Sequence, residues 1–277
     1  KKSILLFGGS GLVGRNIQEH DRAGDWNIVA PTRREVDLMD AKSVQHFIKK
    51  QKPDVIIHAA GLVGGIQANV ANPIKFLDEN LVMGRNIIMA AYECAVPELI
   101  NLASSCMYPV KGLQPFSEEA ILTGDLEPTN EGYALAKIVG TRLCQYINSK
   151  NLNLQYKTII PCNIYGRHDK FDTNSSHLIA AIISKIHNAK ERREGKVWIW
   201  GAGTARREFI YAGDVADAIL FAASDLTVVP EVVNIGIGSD YSIKEYYEVV
   251  KEVLSWDGEF KYDKSKPVGM EQKLSNL

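Results

Sequence analysis

The sequence predicts an α/β protein built on a doubly wound parallel sheet, with a smaller C-terminal α+β lobe. Short apolar runs alternate with helical patterns from the start of the chain, which is typical of βαβ units. A glycine-rich turn joins the first of these runs to the first helical pattern. The 277 residues include 45% hydrophobic residues, which is enough to form a large core.

The first half of the chain alternates strands and helices regularly. Short apolar runs predict strands over residues 3–7, 27–30, 54–58, 99–103 and 155–160. Helical periodicity predicts helices over residues 12–20, 41–50, 73–94 and 132–149. Crossovers that contain a helix return the chain to the same edge of a sheet, so we expect parallel strands.

The alternation becomes irregular after about residue 165. The patterns there predict a helix from residue 177, strands over 197–200 and near 208–210, and helices over 213–223 and 242–254. We therefore expect residues 1–165 to form the sheet domain. Residues 166–277 are expected to form mainly a smaller lobe, with some segments returning to the sheet domain.

Charge and cysteine content exclude several classes of partner. The 32 basic and 33 acidic residues are mixed along the chain, so neither a nucleic-acid-binding face nor a membrane-surface helix is predicted. No apolar run is long enough to span a bilayer. Cys94, Cys106, Cys144 and Cys162 lack CxxC spacing, which predicts neither a metal site nor a disulfide framework and fits a cytoplasmic location.

The glycine-rich turn is the first candidate site. It runs from Phe7 to Gly14 between a predicted strand and a predicted helix. Glycine in such a turn lets the backbone approach a pyrophosphate, which then lies at the positive helix N-terminus, as in Rossmann-type folds. A tight βα turn without a ligand is the alternative. The residues expected to bind a dinucleotide here are Gly8, Ser10, Gly11, Leu12, Val13 and Gly14.

Two arginines follow the second predicted strand. In NAD-binding proteins an acidic residue at this place usually binds the ribose hydroxyls, whereas Arg33 and Arg34 suit a 2′-phosphate. The sequence therefore favours NADP(H), the alternative being a pair of solvated loop arginines. Asp37 and Leu38 are expected to lie near the adenine.

The third predicted strand ends in His58, followed by Ala59, Ala60 and Gly61. The carboxyl edge of a parallel sheet is where a dinucleotide passes, so these three small residues are expected to line the cofactor site. His58 itself is expected to be a packed residue at the strand end.

Tyr133 and Lys137 stand four residues apart on a predicted helix, which places the phenol and the ammonium on one face. A neighbouring ammonium favours the phenolate, so we expect it to lower the pKa of Tyr133 and prepare it for proton transfer to a carbonyl oxygen. The alternative is an ordinary surface pair of tyrosine and lysine.

Several segments together carry a family resemblance. They are the GxxGxxG turn, the His-Ala-Ala-Gly segment, and residues 103–109, 126–131 before Tyr133, 161–166, 174–177 and 198–209. In these segments the chain resembles the extended short-chain dehydrogenase/reductases, and within them the GDP-L-fucose synthase family, and the resemblance covers nearly its whole length.

The resemblance implies roles for individual residues. Ser104, Tyr133 and Lys137 match the reduction triad, and Cys106 and His177 match the epimerisation base and acid. Without it, Cys106 would be interpreted as a small buried residue and His177 as a helix cap or a solvated side chain. Positions that hold the GDP-sugar in the family correspond to Ser105, Asn163, Lys185, Trp200 and Arg207.

Lys185 replaces an arginine that is common in the family. Trp198 and Trp200 lie on one predicted strand, and we expect at most one to face the ligand while the other packs in the core.

The resemblance implies an NADPH-dependent enzyme that epimerises and reduces a GDP-linked 4-keto sugar. Residues 1–165 would bind NADP(H) and residues 166–277 mainly the substrate. Two alternatives keep the same fold: a C4-reductase acting on a related GDP-4-keto sugar such as a heptose, and a non-catalytic NADP-sensing regulator. The family also implies a homodimer formed through the helices predicted at 73–94 and 132–149.

Overall fold

A computed structural model describes residues 1–150, 153–172, 176–266 and 269–277. Ten elements make up the regular first part of the chain: β1 (Ser3–Phe7), α1 (Leu12–Glu19), β2 (Asn27–Val29), α2 (Ala41–Gln51), β3 (Val55–His58), α3 (Ile66–Ala71), α4 (Pro73–Glu93), β4 (Glu98–Leu102), α5 (Glu131–Lys150) and β5 (Gln155–Pro161).

The second part contains shorter elements. They are β6 (Asn163–Tyr165), α6 (Leu178–Glu191), β7 (Lys196–Trp200), β8 (Arg206–Arg207), β9 (Phe209–Tyr211), α7 (Ala212–Ser224), β10 (Val232–Ile235), β11 (Tyr241–Ser242), α8 (Ile243–Val253), β12 (Glu259–Asp263) and β13 (Gln272–Lys273).

Six parallel strands form the main sheet, in the order β10-β5-β4-β3-β1-β2. The strand order reverses between β1 and β3, and ligands of doubly wound folds bind outside the carboxyl ends of the strands at such a point. Phe7 pairs in register with His58, so the glycine-rich turn and Ala59 emerge side by side there. The predicted fold class is therefore confirmed.

Both faces of the sheet are covered, which explains why its strands are apolar runs without alternation. Ile4 and Leu6 pack against α1 and α7 on one face. Leu5 and Phe7, which point the other way, pack against α2 and α4. A separate core in the second part packs α6 and α8 against β7, around buried residues that include Val197.

Strand β10 is the main element that the sequence analysis missed. Its four residues follow α7 after a 3₁₀ turn and a short loop, and only one of them is buried. The strand is recognisable through its partner, since Val232 to Ile235 pair in register with Thr158 to Pro161 of β5. The elements predicted in the first half agree with the structure to within about two residues.

The described residues contain no helix long and apolar enough to cross a membrane. Over the same ranges, no group of three or more histidine, cysteine, aspartate or glutamate side chains is arranged to hold a metal ion.

Candidate active site

The glycine-rich turn has the geometry of a phosphate cradle. Gly8 has a φ of +92°, a conformation that side chains disfavour. A Cβ atom at Gly14 would lie 2.2 Å from the carbonyl oxygen of Gly8, so only glycine permits this approach of α1 to the turn. Gly11 caps α1 without a side-chain hydrogen bond, which leaves the first N–H groups of the helix, those of Leu12 and Val13, available to an anion. Ser10 beside them is exposed.

The loop after β2 presents Arg33 and Arg34 to solvent. The turn that carries them is closed by Glu35, whose carboxylate accepts hydrogen bonds from the backbone N–H and the hydroxyl of Thr32, each at 2.8 Å. These bonds lower the pKa of Glu35. The arginines thus stand on an ordered loop at the edge of the cofactor site.

The residues expected near the adenine differ in exposure. The exposed Asp37 accepts a hydrogen bond from the backbone N–H of Met39 at 2.9 Å. Leu38 is partly buried against the core that contains Leu5 and Phe7. Its carbonyl oxygen accepts a hydrogen bond from the side chain of Asn86.

The segment after β3 lies close to Lys137. A Cβ atom at Gly61 would lie 3.9 Å from Nζ of Lys137. Ala59 and Ala60 precede Gly61 and lie directly beside Gly8. A Cβ atom on Gly8 would lie 2.5 Å from the Ala59 carbonyl carbon. His58 is buried, and burial lowers its pKa to about 3. It is a packed neutral imidazole, as predicted.

Ser104 and Cys106 are held by one short turn after β4. Ser104 begins a 3₁₀ turn over Ser105–Met107, and its hydroxyl oxygen accepts a hydrogen bond from the Cys106 N–H at 3.3 Å. The hydroxyl group of Ser104 also hydrogen-bonds with the Cys106 side chain. Ser105 is only 3% exposed, so its side chain faces the protein interior.

Tyr133 and Lys137 lie on one face of α5, as their spacing predicts. Nζ of Lys137 is 5.6 Å from the centre of the Tyr133 ring and donates a 2.9 Å hydrogen bond to the Leu102 carbonyl oxygen. The predicted direction of the tyrosine pKa is wrong for this structure. Burial raises the pKa of Tyr133, with a further contribution from Cys106, and lowers the pKa of Lys137 to about 8. The low dielectric of the site disfavours the charged form of each side chain.

Cys106 shares a buried cluster with Tyr133. Burial raises the pKa of its thiol, while the positive charges of Lys273 and Lys137 and a hydrogen bond with Ser104 oppose that rise. The four side chains of Ser104, Cys106, Tyr133 and Lys137 therefore form one interacting group.

Lys273 is a residue that the sequence analysis missed. It lies on β13, where it is the register partner of Arg207 on β8. Burial lowers the pKa of both side chains, and the charge of the buried Glu127 opposes the shift in each. The site thus contains two neighbouring cations, and the charge of one of them, Lys273, acts on the Cys106 thiol. No local pattern marks Lys273, because a two-residue strand after a long loop has no periodicity.

The two tryptophans correct an error of the sequence analysis. Residues two apart on a strand share a face. Val197 and Ile199 are buried in the core, while Trp198 is 56% exposed and Trp200 is partly buried on the opposite face. The prediction that the second tryptophan, Trp198, packs in the core is therefore wrong.

In the described part of the chain, Lys185 is one of two cations beside Trp200, the other being Lys266. Nζ of Lys185 lies 5.2 Å from the centre of the Trp200 ring and donates hydrogen bonds to the Trp198 carbonyl oxygen and the Tyr247 hydroxyl. Asn163, expected to contact the sugar, donates a 2.8 Å hydrogen bond from Nδ2 to the Glu208 carbonyl oxygen.

His177 enters from another element, immediately before α6. Its side chain does not cap the helix. The preceding residue, Ser176, lies against the turn after β3. A Cβ atom on Gly65 of that turn would lie 3.2 Å from the Ser176 carbonyl oxygen. The ion-pair partner of His177 is Asp169, at 3.7 Å, a second residue that the sequence analysis missed. Asn174 and Ser175 of the same segment lie outside the described residues.

The chain is similar to known proteins over nearly its whole length. Residues 4–236 match the family model described as NAD dependent epimerase/dehydratase family. A GDP-L-colitose synthase of Yersinia pseudotuberculosis is 52% identical, over 98% of this chain and 88% of that protein. A GDP-L-fucose synthase of Azorhizobium caulinodans is 49% identical, over 100% of this chain and 88% of that protein.

A solved structure is also similar throughout. It is a GDP-mannoheptose C4 reductase from Campylobacter jejuni with NADP bound, with a TM-score of 0.88 and 31% identity over 99% of this chain and 90% of that one. Sequence, fold and site therefore lead to the same conclusion. The chain belongs to the NAD-dependent epimerase/dehydratase family.

Proposed function

We propose that this protein is an NADPH-dependent enzyme that epimerises GDP-4-keto-6-deoxymannose at C3 and C5 and reduces it at C4, giving GDP-L-fucose. The observation that carries the proposal is the single buried group formed by Ser104, Cys106, Tyr133 and Lys137 at the carboxyl edge of the sheet. The relative of Azorhizobium caulinodans supports the choice of product.

The cofactor is NADP(H), and the residues of the cradle fit it. The backbone of Gly8 to Gly14 and the start of α1 would hold the pyrophosphate, and Arg33 and Arg34 would hold the 2′-phosphate. Lys137, next to Gly61, would bind the nicotinamide ribose. When bound, NADPH supplies a hydride to C4 of the sugar.

Epimerisation requires removal of a proton next to the ketone and its return to the opposite face. The hydroxyl groups of Ser104 and Tyr133 would donate hydrogen bonds to the enolate oxygen, where negative charge develops. Cys106 would take the proton as a thiolate, which the ammonium groups of Lys273 and Lys137 favour. His177 would deliver a proton from the other side.

Reduction uses the same hydroxyl groups. Burial keeps Tyr133 protonated, so its phenol can give a proton to the C4 oxygen. Lys137 would then stabilise the phenolate that is left. In this scheme the raised pKa of Tyr133 suits a general acid, and the positive charge of Lys137 matters after proton transfer.

The GDP group needs cations and an apolar surface. We assign the diphosphate to Arg207 and Lys273, two cations that are register partners on adjacent strands. Trp200 offers a ring face and Asn163 an amide to the nucleotide sugar.

The decisive experiment combines the enzyme with GDP-4-keto-6-deoxymannose and NADPH in deuterated water. We expect NADPH oxidation, formation of GDP-L-fucose, and one deuterium atom at each of C3 and C5 in the product. Absence of both oxidation and exchange would reject the proposal.

A C4-reductase without epimerase activity is the second candidate, favoured by the likeness to the heptose reductase. It predicts NADPH oxidation with no deuterium at C3 or C5. The same assay should therefore include a GDP-4-keto-heptose and the 4-keto precursor of GDP-L-colitose, the product named for the Yersinia relative.

Quaternary structure and location complete the proposal. We propose a homodimer formed through α4 and α5, supported by exposed apolar side chains on α5 that include Leu135, Val139 and Tyr146. A cytoplasmic location is supported by the four cysteines, all of which are free thiols.

A further inference from the structure

Asp169 and His177 face each other with hydrogen-bonding capacity unused. Oδ1 of Asp169 lies 3.7 Å from Nδ1 of His177, and the Asp169 side chain is only 4% exposed. Oδ2 of Asp169 and Nδ1 of His177 are both buried and have no hydrogen-bond partner among the described residues. Buried polar atoms are nearly always paired, so two unpaired atoms at one contact indicate a pairing that a small movement completes.

The loop that carries Asp169 is fixed from the side of α1. Glu19 binds Nε2 of His168 at 2.7 Å and Nη2 of Arg167 at 3.1 Å. Asn16 donates a 3.0 Å hydrogen bond to the Arg167 carbonyl oxygen. Oδ1 of Asp169 also accepts a 2.7 Å hydrogen bond from the backbone N–H of Lys170. The carboxylate is therefore held in place independently of His177.

His177 stands at the N-cap of α6, and its ring lies beside the buried carboxylate of Asp169. A carboxylate in this position selects the tautomer of the ring, because an ionised carboxylate can only accept a hydrogen bond.

We propose that Asp169 is a positioning residue for His177. Its carboxylate accepts the Nδ1–H of the imidazole, so that Nε2 carries the proton exchanged with the sugar. This inference rests on the proposed epimerisation. In the donating step the Nε2–H bond of the imidazolium breaks, a C–H bond forms at the sugar carbon, and His177 becomes neutral with Nδ1 protonated. Asp169 stays ionised throughout and does not contact the substrate.

The test uses Asp169→Asn, with His177→Gln and Glu19→Gln for comparison. We expect Asp169→Asn to slow deuterium exchange at C3 and C5 at least about tenfold, while reduction of the unepimerised ketone changes less than about twofold. The double variant Asp169→Asn/His177→Gln should be no slower in exchange than His177→Gln alone. Glu19→Gln loosens the same loop but keeps the carboxylate beside His177.

A spectroscopic measurement is independent of turnover. In protein labelled with ¹⁵N-histidine, His177→Gln identifies the signals of that ring among the 6 histidines. At a pH where the ring is neutral, we expect the Nδ1–H tautomer in the wild type and a shift toward the Nε2–H tautomer in Asp169→Asn.

Two results would overturn the proposal. One is an unchanged tautomer in Asp169→Asn. The other is an equal loss of exchange and reduction in Asp169→Asn, accompanied by the same loss of thermal stability as in Glu19→Gln, which would mean that Asp169 only supports the loop. A wild-type protein that exchanges no proton with any sugar rejects the proposed function instead, and the nitrogen spectrum still decides whether Asp169 sets the tautomer.

Discussion

Burial acts on Cys106, Tyr133 and Lys137 in the same sense: it favours the neutral form of each. It raises the pKa of the thiol and of the phenol, and it lowers the pKa of the ammonium to about 8. These groups lie in one low-dielectric cluster, so a change of charge on any of them alters the energy of the others. The protonation of the site is therefore a collective property.

The pKa of Lys137 predicts how reduction depends on pH. The ammonium is present below about pH 8 and is lost as the pH rises through that value. We expect kcat/KM for NADPH oxidation to fall above about pH 8, measured between about pH 6 and 10. Lys137→Met should show a low rate without this decline. A wild-type profile that stays level to about pH 10 would contradict the assignment.

Cys106 can be tested separately from the reduction. We expect Cys106→Ser to slow deuterium exchange at C3 and C5 by roughly 10²-fold or more, because a hydroxyl is a far weaker base than a thiolate. NADPH oxidation with the unepimerised ketone should persist. Cys94→Ser, at the partly buried end of α4, is the matched control. Unchanged exchange in Cys106→Ser would remove the thiol from the mechanism.

The β1–α1 connection shows how one element creates a binding site from backbone alone. The positive φ of Gly8 turns the chain, and the missing side chain of Gly14 lets α1 approach the turn. The first N–H groups of the helix then point at the carboxyl edge of the sheet. The phosphate binding that we propose at this position would depend on steric clearance more than on any charged side chain.

A substitution at Gly14 tests that clearance. We expect Gly14→Ala to weaken NADPH binding strongly, because its Cβ atom would lie 2.2 Å from the Gly8 carbonyl oxygen and displace the turn. NADPH affinity can be measured by calorimetry. Gly24→Ala, where a Cβ atom meets nothing within 4 Å, is the control and should bind normally. Equal NADPH affinity in the two variants would contradict the proposal that the turn from Gly8 to Gly14 binds the pyrophosphate.

The molecule as a whole has an apolar surface that its own chain does not cover. On α5, Leu135, Val139 and Tyr146 are 37%, 40% and 66% exposed and lie near one face of the helix. Tyr92 on the adjacent α4 is 39% exposed. A second copy of the chain would bury these side chains around a two-fold axis.

The dimer is tested by placing a charge in this surface. We expect Val139→Glu to give a monomer in light scattering coupled to size exclusion, with lower thermal stability, because a carboxylate would have to be buried unpaired. Val249→Glu, at an equally apolar exposed site on α8, should leave the mass unchanged. A dimer that persists in Val139→Glu would exclude the α4–α5 interface.

Short-range sequence patterns were sufficient to predict much of the fold and part of the candidate site. The β1–α1 turn and the Tyr133/Lys137 spacing are encoded within a few residues, because dihedral preference and helical periodicity act locally. The alternation of strands and helices similarly determined the parallel sheet.

Tertiary structure alone decided the rest. Lys273 reaches the site because β13 pairs with β8, and Asp169 reaches His177 because its loop is bound to α1. The pKa of Tyr133 rises because residues distant in sequence exclude water from its ring. Contacts and burial between distant segments leave no periodic trace in the chain, and these contacts set the charges on which the proposed chemistry depends.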